Sequence, residues 1–141
     1  MSDLTQLYQG IILGHNKRPK NYGALASYSG MAEKNNPLCG DEVTIYWKTQ
    51  DHRISDLSFT AQGCAISRAS ASIMTERLSG KSKEESQALF DAFRTLLEDE
   101  KGDPSDAVDL GDLMALSGVR QYPSRIKCAL LPWQALFEEW D

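Results

Sequence analysis

Asp56-Leu57-Ser58-Phe59-Thr60-Ala61-Gln62-Gly63-Cys64-Ala65-Ile66-Ser67 decides the fold, because an alternating run stops at a glycine and a cysteine opens a helical pattern. Backbone N–H groups at a helix start lack intrahelical partners and carry partial positive charge, so they favour a thiolate over a thiol. Cys64 is therefore expected to ionise more readily than an average cysteine. Gly63 removes a Cβ just before the thiol, which lets a ligand or a second loop approach the backbone closely.

Working backwards, Val43, Ile45 and Trp47 alternate with Thr44, Tyr46 and Lys48, the period of a strand over Glu42–Lys48 with one buried face. Asp51-His52-Arg53 turns the chain, and a second strand runs from Ile54 to Ala61, giving an antiparallel hairpin. Its open end brings Cys39, Asp41 and Cys64 together, and the 25 positions between Cys39 and Cys64 suit that geometry. A short edge strand is expected near Met31–Lys34, since a long structureless loop inside a small domain is uncommon. Before it, Leu4, Leu7, Ile11 and Ile12 predict an amphipathic helix from Leu4 to about Leu13, with Ser2 or Asp3 as N-cap. Gly14 weakens that helix, and the segment Lys17 to Gly23, with Pro19, ends it.

Working forwards, the small residues after Cys64 predict a helix that lies close to a neighbour and ends near Ser79-Gly80. Ser82-Lys83-Glu84-Glu85 is a capping-box sequence, followed by Ala88, Leu89, Phe93, Leu96 and Leu97 at helical spacing. An acidic loop from Leu97 to Pro104 precedes a short helix near Leu110–Ser117. In the last segment Ile126, Leu130, Trp133, Phe137 and Trp140 share one helical face, which is expected to be core. Cys128, Leu131 and Ala135 lie on a second face, available for a metal or a partner. Pro132 is expected to kink or restart the helix. The class is α+β: a small antiparallel sheet of about three strands against several helices, in one domain over 1–141.

Composition sets the bounds. The chain has 141 residues, 41% of them hydrophobic and 25% charged, which are ordinary globular values. A net charge of −5 argues against a nucleic-acid surface, although the basic stretch His15 to Lys20 suits an acidic partner. No signal peptide and no membrane span are visible, so the expected location is the cytoplasm. Three cysteines cannot pair off completely, and in a reducing compartment metal binding or redox chemistry explains them better than a disulfide framework.

Cys39, Asp41, Cys64 and Cys128 offer three sulfurs and one oxygen, a tetrahedral set for zinc that also accepts iron. Cys39-Gly40-Asp41 places two donors around a glycine, where a tight turn can aim both at one ion. Arg125, one helical turn before Cys128, offsets their negative charge, and Lys127 adds to it. Plainer roles stand beside these. Cys64 and Cys128 as buried small hydrophobes, Asp41 as a turn cap and Arg125 as a solvated charge all satisfy the same sequence. His15 is expected to fix the loop after the first helix, and His52 to sit exposed in a turn.

His15-Asn16-Lys17-Arg18-Pro19-Lys20-Asn21-Tyr22-Gly23, Asn36-Pro37-Leu38-Cys39-Gly40-Asp41, Gly63-Cys64-Ala65-Ile66-Ser67 with Ala69-Ser70-Ala71-Ser72-Ile73-Met74, and Ser124-Arg125-Ile126-Lys127-Cys128-Ala129 occur in this order. In these four pieces the sequence resembles the IscU/NifU-type family of iron–sulfur cluster assembly proteins, and within it the SufU branch. Scaffold-type members carry a histidine just before the third cysteine and a Leu-Pro-Pro-Val-Lys motif, whereas this chain has Lys127 and no such motif. Cys128 follows Cys64 by 64 positions, a longer interval than in scaffold members, with the extra material around 97–122 as in the SufU branch.

The resemblance implies a zinc-dependent sulfurtransferase. Cys39, Asp41, Cys64 and Cys128 hold zinc, a histidine of a SufS-type cysteine desulfurase displaces one cysteine, and the freed thiolate takes persulfide sulfur for the downstream SUF cluster scaffold complex. Cys39 matches the acceptor position, and Arg125 is expected to steady the site during ligand exchange. Two other functions remain open: an assembly scaffold that binds iron or a nascent iron–sulfur cluster on the same residues, and a domain whose zinc is only structural.

Overall fold

The computed structural model describes residues 3–37, 39–99 and 109–140, with side chains from residue 6 onwards. Helix α1 (Asp3–Lys17) leads into the three strands β1 (Gly30–Asn36), β2 (Asp41–Gln50) and β3 (Arg53–Gln62). Helices α2 (Ala65–Leu78) and α3 (Lys83–Glu98) follow, then a 3-10 helix over Gly111–Gln121 and the final helix α4 (Pro123–Glu139). The sheet is antiparallel in the order β1-β2-β3, with Asn36 opposite Asp41 and Glu42 opposite Gln62. This is the α+β arrangement expected from the sequence.

Alternation in β2 buries Val43, Ile45 and Trp47 on one face. In β3 the buried apolar residues change parity, from Ile54 to Leu57, Phe59 and Ala61. A bulge accounts for this: Thr49 pairs with Ile54 but Lys48 pairs with Asp56, so Ser55 is the extra residue, and its hydroxyl donates to the Lys48 carbonyl at 3.2 Å. Without it, Ile54 would point to the outer face. The hairpin turns through Asp51 and His52, both at positive φ, and His52 is exposed.

Helix α1 runs a full turn past the expected Leu13. Gly14 does not stop it, and Arg18 still donates to the Gly14 carbonyl at 2.9 Å. Pro19 ends it instead, by disfavouring helical geometry at the residue before. His15 also anchors the last turn, with Nδ1 2.7 Å from Ser72 Oγ on α2. Asp3 is the first helical residue and not a cap, while Ser2 lies outside the described residues. The apolar stripe is only partly used, since Leu7 is 58% exposed.

After α1 the chain is pinned to α2. Ser72 Oγ accepts from the Lys20 N–H at 2.7 Å, and Thr75 Oγ1 accepts from Asn21 Nδ2 at 3.0 Å. Tyr22 then forms a one-residue parallel bridge with Phe59, on the far edge of the sheet from β1. The edge strand is longer than the expected Met31–Lys34, because seven successive pairs with β2 hold it.

The 3-10 helix extends past the expected Ser117 to Gln121 and buries Leu113, Leu116 and Val119. The acidic loop mostly falls on residues 100–108, which lie outside the described residues. Pro132 does not restart α4; one helix passes through it. The bond its ring removes is the one to the Cys128 carbonyl. Nor is the second face of α4 open, since Leu131 and Ala135 belong to the core with Trp133. Helix α4 packs against α2 and against β1 and β2 together, so its middle is covered on both sides. Phe90 stacks on Trp133 and Phe137, with centroids 5.7 and 4.8 Å away, which makes the aromatic face core as expected. Among the described residues, no helix is long and apolar enough to cross a membrane.

Candidate metal centre

The open end of the hairpin, the turn before β2, the start of α2 and the first turns of α4 meet at one place. Pairing of Glu42 with Gln62 sets Asp41 beside Gly63 and Cys64. Asp41 is 1% exposed, and its Oδ1 accepts from the Cys64 N–H at 2.6 Å, at the N-cap of α2. The cap reading of Asp41 is thus realised with one oxygen. Oδ2 is buried with no hydrogen-bond partner among the described residues. A buried carboxylate oxygen left open is costly unless something fills the position.

Gly63 makes this approach possible. Its φ is +115°, and a Cβ there would stand 2.5 Å from Asp41 Oδ1 and 2.8 Å from Asp41 Cα. Only a glycine lets the carboxylate seat itself over the start of the helix.

Cys39 is half-buried on the turn between β1 and β2, and Cys128 is fully buried on α4. Their sulfurs are 3.2 Å apart, and the Cys128 thiol also lies 3.5 Å from the Ser124 carbonyl. Sulfurs of Cys39 and Cys128 and a carboxylate oxygen of Asp41 all fall within 4.8 Å of one another. Cys64, half-buried at the N-cap, lies outside that group. Three of the four expected ligands are brought together, and the fourth stands beside them. Two thiols, an open carboxylate oxygen and a third thiol nearby form a donor set that fits a thiophilic divalent cation such as zinc.

Electrostatics tie the group together. Burial pushes the Cys128 thiol well above its usual range, helped by the adjoining Asp41 carboxylate and Cys39 thiol and by the Cys64 sulfur. Arg125 is exposed and held more firmly protonated than usual, chiefly by the charge of Cys64 and then by Cys128 and Cys39. Its charge interacts with those of all three sulfurs, and it stands one helical turn before Cys128. Arg125 also borders a cavity of about 710 Å³ lined by Tyr8, Ile12, Cys64, Ile66 and Tyr122. His15 takes no part; its Nε2 lies 3.7 Å from Glu76 and 3.5 Å from Asp112.

One residue at the site was not singled out from the sequence. Asn36 pairs with Asp41 across the strands, accepts from the Cys39 N–H at 3.1 Å through its carbonyl, and places Nδ2 3.8 Å from Cys128 Sγ. It thereby touches three of the four expected ligands. A buried asparagine at a strand end, three residues before a cysteine, is a weak signal that only tertiary contacts resolve.

Comparison with known proteins gives the same picture. Residues 7–129 match the family described as the NifU-like N-terminal domain. The zinc-dependent sulfurtransferase SufU of Bacillus subtilis strain 168 is 40% identical over 135 residues, covering 96% of this chain and 90% of that protein. The iron-sulfur cluster assembly scaffold protein IscU of Streptococcus pyogenes serotype M1 is 40% identical over 138 residues, 98% of this chain and 85% of that one. Among solved structures, the N-terminal part of a nitrogen-fixing NifU-like protein from Brucella abortus superposes with a TM-score of 0.84 at 28% identity, covering 97% of this chain and 94% of that one.

Proposed function

The chain belongs to the NifU-like N-terminal domain family, and from that premise we propose that it serves iron–sulfur cluster assembly as a zinc-bound sulfurtransferase. It takes persulfide sulfur from a SufS-type cysteine desulfurase and passes it to the SUF assembly machinery. The reading rests on a half-buried thiol, a buried thiol and a carboxylate oxygen within 4.8 Å of one another. Similarity to a relative named as a zinc-dependent sulfurtransferase supports it. The whole chain, 1–141, is read as one such domain, with the stretch around 97–122 as its insertion.

Cys39, Asp41, Cys64 and Cys128 are the residues that would hold zinc, and bound zinc supplies the positive charge that keeps sulfur ligands deprotonated. Cys39 is the acceptor because it matches the family's acceptor position; exposure is consistent with this, since Cys39 and Cys64 are half-exposed while Cys128 has no access to solvent. The Cys39 thiolate attacks the outer sulfur of the donor persulfide; the donor S–S bond breaks and the donor cysteine leaves as a thiolate. Cys39 then carries the sulfur. The Arg125 guanidinium, whose charge interacts with those of all three sulfurs, steadies the negative charge that shifts among them.

A scaffold that holds a nascent cluster on the same residues is the second reading, favoured by relatives named as scaffolds. Lys127, where scaffold-type members carry histidine, favours the first. The test is alanine release from cysteine by the cognate desulfurase, comparing no addition, the zinc-loaded protein and zinc-loaded Cys39→Ala. Stimulation by the first protein and a return to the unstimulated rate with Cys39→Ala supports sulfur acceptance at Cys39. Stimulation only by metal-free or iron-loaded protein replaces this reading with the scaffold.

A further inference from the structure

Arg68 stands one helical turn beyond Cys64 on α2, its backbone N–H 3.4 Å from the Cys64 carbonyl. Its guanidinium carbon lies 4.8 Å from the centre of the Tyr22 ring. Tyr22 is itself fixed, with its hydroxyl donating to the Ala61 carbonyl at 3.3 Å and its ring meeting Phe59 edge-on at 5.2 Å. A guanidinium laid on an anchored ring has lost much of its rotamer freedom before any ligand arrives.

The Arg68 Nε is closed off from solvent and has no acceptor among the described residues. A buried Nε cannot itself meet an incoming ligand, so docking falls to the Nη groups of this half-buried side chain. Arg125, exposed on α4, borders the same cavity as Cys64, and neither it nor Arg68 pairs with a carboxylate among the described residues. In a chain of net charge −5, two arginines, Arg68 and Arg125, stand beside Cys64. Charge of that kind selects and steers an acidic surface.

We propose that Arg68, held on Tyr22, is a docking residue for a carboxylate side chain of the sulfur-donating protein, setting the donor against the thiol site; this rests on the sulfur-acceptor reading above. The planar fork suits bidentate capture of a carboxylate, which fixes orientation as well as proximity.

The experiment is calorimetric titration of the zinc-loaded protein with its cognate cysteine desulfurase at several salt concentrations. Arg68→Met keeps an apolar stem over Tyr22 and removes the fork; it is expected to weaken binding about tenfold and flatten the salt dependence. Arg68→Lys should restore the salt dependence but only part of the affinity. Unchanged affinity and salt slope in Arg68→Met overturns the proposal. Persulfide formation on Cys39 from inorganic polysulfide, which brings no carboxylate, should be equal in wild type and Arg68→Met. A loss there points to a damaged site and also overturns the docking role. Failure of the acceptor reading looks different: the wild type itself would take no sulfur on Cys39, whether from the desulfurase or from polysulfide.

Discussion

At its turn end the β2–β3 hairpin is closed by Asp51 and His52 and tied to the start of α3, whereas at its open end it spreads around the thiols. At the turn end Ile54 donates to the Lys81 carbonyl at 3.0 Å and Gly80 to the Ile54 carbonyl at 2.8 Å. Arg53 Nη1 reaches the Gly80 carbonyl at 3.1 Å and Glu85 Oε1 at 2.8 Å, and Ser82 with Glu85 completes a capping box. Around the open end, Asp41 Oδ2 and Arg68 Nε are buried without partners among the described residues. One end satisfies its polar groups within the chain and the other leaves two of them unmet. Stability and chemistry are thus divided along a single hairpin, in line with the cost of unmet polar groups.

Substitution can break this division from the site inwards. The largest effect is expected for Asp41→Asn. The amide oxygen can still accept from the Cys64 N–H, but the charge that would meet a cation is gone. Zinc affinity measured by competition with a chromophoric chelator should fall on the order of a hundredfold. Retained affinity would mean that the open oxygen is not there for a metal.

Next comes Gly63→Ala. Its methyl group would meet Asp41 Oδ1 at 2.5 Å, at a backbone φ of +115°. A loss of about 1–3 kcal/mol in denaturant unfolding of the metal-free protein is expected, together with weaker zinc retention. A neutral result would show that the start of α2 can move away from the carboxylate.

The smallest effect belongs to the turn end. Ser82→Ala should cost about 1 kcal/mol, with desulfurase stimulation unchanged. The Ser82 N–H bound to Glu85, then the Ser82 hydroxyl and Arg53, hold the Glu85 carboxyl below its ordinary value of 4.5. A carboxyl depressed in the folded state adds stability above its unfolded value and loses it as pH falls through the folded value. Glu85→Gln should therefore be less stable than wild type at neutral pH, and the gap should narrow as pH falls below 4.5 and close once it passes the depressed folded value. A gap that persists in acid would locate the stabilisation outside the ionised capping box.

Much of this was readable along the chain. The hairpin followed from the alternation in Val43, Ile45 and Trp47, though not the register shift at Ser55, and α3 followed from Ser82 and Glu85, because period and cap are local properties. Convergence of Cys39, Asp41 and Cys64 followed from strand pairing, and Cys128 entered the set as the remaining thiol needed for a four-donor site. Other features were not readable. The last turn of α1, beyond the expected Leu13, is held where His15 bonds Ser72 across the fold. On the second face of α4, Leu131 and Ala135 proved to be core while Cys128 joined the candidate metal group, because burial depends on which neighbours arrive from other elements.

The sequence by itself determined the α+β class, the hairpin, the capped helix and the residue types of a thiolate–carboxylate site. Those follow from periodicity, caps and spacing, which act over a few residues. Only the tertiary structure decided which groups are satisfied. It gave Asp41 Oδ1 to Cys64 and left Oδ2 open, set Asn36 beside Cys128, and laid Arg68 on Tyr22 with a spare donor. Hydrogen-bond satisfaction is settled among atoms that meet in space from distant positions in the chain, and no local pattern encodes it.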